Sequence, residues 1–172
     1  MIHPSSVIHE SAVIGDNVTV GPWTYIGENV EIGNETQISS HVVIKRDTKI
    51  GCSNTIFQFA TIGDDTPDLK YLGEDTLLVI GDKNIIREGV TIHRGTIQDK
   101  AVTSIGNNNL FMAYSHIGHD CEVGNNIIMT NNAAISGHVN VGDWAILSGF
   151  AAVHQYVSCL LYTSPSPRDF TE

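Results

Sequence analysis

The feature that most constrains this chain is a period of six. From Ile2, an aliphatic residue recurs at Ile8, Ile14, Val20, Ile26, Ile32, Ile38, Ile44, Ile50, Ile56 and Ile62. The pattern resumes at Ile80, Ile86 and Ile92. It returns at Ile105, Phe111, Ile117, Val123, Met129, Ile135, Val141, Leu147 and Val153. Gly often follows the aliphatic, and a small or β-branched residue often stands two before it, as at Ala12, Thr24 and Val42. Six matches neither the helical period of 3.6 nor the strand period of 2. It fits a short strand and a tight turn, with one large side chain pointing inward per unit. Three units then close a coil of eighteen residues, and successive coils stack as parallel strands about 4.8 Å apart. Aliphatics at i and i+18 form one continuous core, each contributing roughly 1.5–3 kcal/mol when fully buried. The expected fold is all-β: a parallel β-helix whose stability is close to a sum over neighbouring coils. In this reading the Gly relaxes the corner backbone, and the small residue leaves room inside a narrow prism.

The 172 residues fit one domain. A formal net charge of −10 argues against a chain-wide footprint for nucleic acid or anionic membrane. No apolar run approaches the length of a membrane span. The start, Met1-Ile2-His3-Pro4, lacks the basic and apolar parts of a signal peptide. Cys52, Cys121 and Cys159 fit no metal or disulfide spacing, which makes a reducing cytoplasm the expected compartment.

The repeat breaks in three places. Between Ile62 and Ile80 lies a charged, turn-rich stretch that keeps the six-residue phase, read as one coil opened into an excursion. Between Ile92 and Ile105 a second excursion shifts the phase by one residue. These loops hold Lys70, Arg94 and Lys100, and excursions from a rigid scaffold are where function tends to sit. After Val157 the hexad positions lose their pattern and fall on Cys159 and Pro165. The expected organisation is a β-helix over 1–157 and a non-repeat tail over 158–172, disordered and foreign in character.

The segment His116-Ile117-Gly118-His119-Asp120 draws attention as a His with an adjacent carboxylate, the parts of a general base. Counting by eighteen puts His119 one coil from Gly137 and Asp120 beneath His138, with Gly118, Ser136 and His154 in one column. A base and a backbone N–H on one edge of the prism suit acyl transfer, where the N–H stabilises an oxyanion. Cys121 falls on an inward position and reads as core.

The hexads resemble the hexapeptide-repeat family, and from that resemblance follow a left-handed prism, homotrimeric assembly and sites in the clefts between prisms. More specific are Phe57-Gln58-Phe59-Ala60-Thr61-Ile62-Gly63, Asp68-Leu69-Lys70-Tyr71, Val90-Thr91-Ile92-His93-Arg94-Gly95-Thr96, His116-Ile117-Gly118-His119-Asp120-Cys121 and Ala152-Val153-His154-Gln155-Tyr156. With Ser40 to Ile44 they look like the UDP-N-acetylglucosamine O-acyltransferases, over about Ile2 to Val157. The resemblance implies transfer of an (R)-3-hydroxyacyl group from acyl carrier protein to the glucosamine 3-OH of UDP-N-acetylglucosamine, the first step of lipid A biosynthesis. It implies His119 as base, Asp120 as its orienting partner and Gly137 as the oxyanion N–H. Asp68 and Lys70 match sugar-nucleotide contacts, and His93, His116, His138, His154 and Gln155 match the cleft wall. No metal or organic cofactor is implied. Pro67 stands where the family often has a polar residue, so one sugar contact is unmatched. Members also continue the prism and end in a helical domain that this sequence does not show.

Other readings stay open. The sister N-acyltransferase of the pathway usually carries an N-terminal domain, whereas the hexads here begin at Ile2. A zinc enzyme of the carbonic anhydrase type would use His116, His119 and His138, and a plain hexapeptide scaffold would use none of them. The same base would serve a 3-amino acceptor.

Overall fold

In the computed structural model, the described residues, 1–159, form 23 strands of two to four residues. They lie in three parallel sheets of eight, eight and seven strands, the faces of a triangular left-handed β-helix. The first face begins with Val7–Ile8, Tyr25–Ile26 and Val43–Ile44, and the second with Val13–Ile14 and Glu31–Ile32. The third begins with Thr19–Val20 and Gln37–Ile38. Register follows the eighteen-residue count, with Ile8 beside Ile26, Ile14 beside Ile32 and Ile117 beside Ile135. Every hexad position from Val20 to Leu147 is buried, and Ile8, Ile14 and Val153 pack partly buried against that core.

The interior is not wholly apolar. Asn54, Asn84 and Asn109 are buried in one column, where an unpaired amide would be costly. Each solves this along the stack: Asn54 Oδ1 accepts from Asn84 N, Asn84 Oδ1 from Asn109 N, and Asn109 Oδ1 from Ile127 N. Their amide nitrogens donate to the carbonyls of Gly81, Gly106 and Gly124.

The corners work differently from the sequence expectation. The left-handed backbone falls three residues past the core aliphatic, at Asn17 (φ 58°), Asn29 (φ 54°), Asp120 (φ 56°) and His138 (φ 62°), and, except at Gly63 (φ 75°), not at the Gly that follows it. Asn, Asp and His tolerate that region best among residues with a side chain. The glycines answer a different need. A Cβ on Gly33 would stand 2.5 Å from the carbonyl carbon of Gly51 in the next coil, so these positions are small because the coils stack closely.

The first excursion is also an insertion and not an opened coil. Ile80 pairs with Ile50, thirty residues away, so twelve residues are added between Thr61–Asp64 on the first face and Leu77–Ile80 on the second. The second excursion, between Thr91–His93 and Val102–Ile105, adds seven, since Ile105 pairs with Ile80. Both leave from the first–second corner, the corner that carries Asp120. At the far end Ser158–Cys159 pairs with Asn140–Val141, so the repeat runs two residues past Val157. The rest of the expected tail, 160–172, lies outside the described residues. No described helix is long and apolar enough to cross a membrane.

Candidate active site

The first–second corner brings the two excursions against the turn after His116–Ile117. Asp120 sits in that turn, 1% exposed. Its carboxylate accepts from the Thr96 N–H at 2.9 and 3.0 Å and from the Thr96 hydroxyl at 2.7 Å, while its own N–H donates to Thr103 Oγ1. The remaining partner is His119 Nδ1, 2.8 Å from Asp120 Oδ2. Burial pushes the Asp120 carboxyl up, but the bonds from His119 and Thr96 outweigh it and hold the group below the usual carboxylate range. An ionised carboxylate only accepts, so Nδ1 carries the proton and the His119 Nε2 lone pair is free.

His119 is 7% exposed, and its ring lies against Gly137 of the next coil. A Cβ there would stand 2.5 Å from His119 Nε2 and 2.6 Å from Cε1. At the second–third corner, N–H groups in the equivalent position find a side chain one coil on, as Asn107 N does at Asn125 Oδ1. The Gly137 N–H donates to no acceptor among the described residues, whereas its neighbour His138 donates to the His119 carbonyl at 2.9 Å.

A cavity of about 340 Å³ opens over this pair. Of the residues expected from sequence, Asp68, His93, His116, His119, Gly137 and Gln155 line it. Asp120 stands behind His119. Lys70 and His154 are exposed and outside the lining, and His138 flanks His119 edge-on, with ring centroids 4.8 Å apart. His138 Nδ1 pairs with Asp99 at 2.7 Å, and its ring stacks on Tyr156. His116 Nδ1 meets Thr91 Oγ1 at 2.8 Å. The His93 and His116 rings meet edge to face, with centroids 5.0 Å apart. Burial first, and the His116 charge second, push His93 down to about 4, so it is neutral at pH 7. Burial likewise lowers His116.

His119, Asp120 and His138 bring ligand-type atoms within 4.8 Å of one another. Both Asp120 oxygens are already taken by Thr96 and His119, and His116 is turned to Thr91, so the three histidines of the zinc reading do not converge. Thr96 and Asp99, which hold Asp120 and His138, were not singled out from sequence. Both come from the second excursion, where no periodicity predicts contacts. Cys121 is buried, with its thiol pushed up to about 12 by burial, as a core residue should be.

Fold and corner together define a hexapeptide-repeat class: a prism with an oriented imidazole and an unpartnered backbone N–H facing one cavity. A family profile described as bacterial transferase hexapeptide (six repeats) matches residues 11–46 and 103–137. The acyl-[acyl-carrier-protein]--UDP-N-acetylglucosamine O-acyltransferase of Pseudomonas putida is 65% identical over 155 residues, 90% of this chain and 60% of the relative. That of Stutzerimonas stutzeri is 62% identical over 156 residues. The solved UDP-N-acetylglucosamine O-acyltransferase of Moraxella catarrhalis superposes with a TM-score of 0.91 at 48% identity, covering 92% of this chain and 62% of that one. The chain carries the bacterial transferase hexapeptide repeat and is similar over nine-tenths of its length to curated proteins named UDP-N-acetylglucosamine O-acyltransferases. It spans about 60% of the length of the curated relatives it matches.

Proposed function

We propose that this protein moves an (R)-3-hydroxyacyl group from the thioester of acyl carrier protein to the 3-OH of UDP-N-acetylglucosamine, opening lipid A biosynthesis. One observation carries the reading: His119, oriented through Nδ1 by a buried ionised Asp120, has its free Nε2 beside Gly137, whose N–H is unpartnered. Nε2 takes the 3-OH proton, and Asp120 stabilises the imidazolium that forms. The sugar oxygen attacks the thioester carbonyl, and the oxyanion accepts from the Gly137 N–H. Collapse breaks the C–S bond, and the imidazolium returns its proton to the leaving thiolate. The thioester is already activated, so positioning and one base suffice.

Asp68, His93, His116 and Gln155 meet the sugar nucleotide from the cavity wall, and neutral His93 serves as a hydrogen-bonding partner. Lys70, exposed on its four-carbon stem, reaches the diphosphate as a point charge. His138 and His154 complete the wall toward a neighbouring prism. Homotrimeric assembly is supported by Trp23, Phe59, Tyr114 and Phe150, each more than 60% exposed along a single corner, an apolar ridge that a lone prism leaves in water. The three free cysteines accord with a cytoplasmic setting.

The test is His119→Ala, assayed for transfer from hydroxyacyl carrier protein to UDP-N-acetylglucosamine. A fall in kcat of about 10²–10⁴ is expected, with circular dichroism and oligomeric state unchanged. Turnover at the wild-type rate would remove His119 from the role of base.

A further inference from the structure

Arg94 follows the cavity residue His93 and is 1% exposed, the largest fully buried side chain of the prism. Burying a guanidinium is costly unless its donors are met. The two terminal nitrogens are met from two sides, while Nε has no partner among the described residues. From the prism come the carbonyls of Gly63 and Arg46, the latter at 3.4 Å. From the first excursion come the Asp65 carboxylate and the Tyr71 hydroxyl, the latter at 3.0 Å. Tyr71 is itself a hub, within hydrogen-bonding reach of Asp65 (3.2 Å) and of the Glu74 carbonyl (3.0 Å).

Between Asp65 and Tyr71 runs the segment that lines the cavity through Thr66, Pro67 and Asp68. Its local bonds are short-range, from Lys70 N to Asp68 Oδ1 and from Tyr71 N to the Asp68 carbonyl. Leu69 and Leu72 are 99% and 87% exposed, so apolar packing does little to hold it. Arg46 grips the far limb at Gly73 and Asp75. Among the described residues, the side chain that hydrogen-bonds both the prism and the two flanks of the Asp68 segment is Arg94.

We infer that Arg94 is a positioning residue for the polar ligand of the cavity, holding the Asp68 segment over it without entering it. The inference rests on the sugar-nucleotide reading above. A planar fork meets four acceptors at once, which an ammonium cannot do. Arg94→Lys therefore keeps the charge and loses the hold. Tyr71→Phe removes one of the two loop-side links and leaves the Asp65–Arg94 pair and the core in place.

The experiment compares both variants with wild type by steady-state kinetics and by amide exchange of residues 64–76 without ligand. Loss of one charge-assisted hydrogen bond corresponds to about tenfold in affinity. The expected result is a KM for UDP-N-acetylglucosamine raised about tenfold in both variants, with kcat and the KM for the acyl donor within twofold and exchange faster across 64–76. An unchanged sugar-nucleotide KM in Tyr71→Phe, or an equal loss for both substrates, overturns the inference. If wild type neither binds nor acylates UDP-N-acetylglucosamine, the functional reading fails. Exchange across 64–76 still reports separately whether Arg94 holds the segment.

Discussion

Gly137→Ala tests the packing of His119, the proposed base, against the next coil. Gly137 has no left-handed φ, so alanine brings no backbone strain, and it keeps the N–H proposed for the oxyanion. What it adds is a methyl group 2.5 Å from His119 Nε2, short of ordinary contact (3.4 Å) by about 0.9 Å. Two contacts oppose a retreat of the ring: Asp120 holds it at Nδ1, and His138 meets it edge to face. A displacement of about 1 Å at a reacting group costs on the order of 10²-fold in rate. Overpacking of this kind costs about 1–3 kcal/mol in stability, a tolerable loss for a prism of this size. The assay is kcat for acyl transfer, paired with the nitrogen NMR shifts of His119. A loss of about 10² in kcat is expected, with Nδ1 and Nε2 shifts moved from wild type and oligomeric state unchanged. A kcat within threefold of wild type, with the ring signals unmoved, would refute the contact as a determinant of catalysis.

Two further predictions concern burial. His93 titrates near 6.5 unfolded and about 4 folded, so the unfolded chain takes its proton first. Its contribution is full above pH 6.5 and declines as pH falls toward 4, a loss of roughly 3 kcal/mol. Urea unfolding of wild type and His93→Gln between pH 7 and 4 should show a smaller acid decline in the variant, and parallel curves would contradict the buried neutral imidazole. Cys52 is exposed while the Cys121 thiol is raised to about 12. Iodoacetamide at pH 8 should therefore modify Cys52 quickly and Cys121 only after denaturation, as read by peptide mass mapping.

The core was legible because each buried hexad residue announces itself by period, and stacking converts spacing into neighbours. The same count correctly placed His119 on Gly137, since both sit in uninterrupted coils. It failed where the chain leaves the prism. Excursion length alone cannot say whether a coil has opened or residues have been inserted, and only the pairing of Ile80 with Ile50 decides it. Thr96, Asp99 and Arg94 act through contacts 24, 39 and up to 48 residues away, with no periodic signal. The corner glycines were misread because crowding between coils and left-handed backbone both select Gly, and sequence does not separate the two.

Because both excursions depart from and return to the same corner, the prism registers their presence as a longer path between two strands and one local bulge. Across insertions of twelve and seven residues the hexad aliphatics still pair with one another, with one register shift where Asp64 meets His93. Closing a longer loop adds little entropy cost, about 0.6 kcal/mol per doubling. The loops that frame the cavity can therefore change in length at little cost to the prism, so long as Thr96 keeps its hold on Asp120, while the strands beside His119 keep their register.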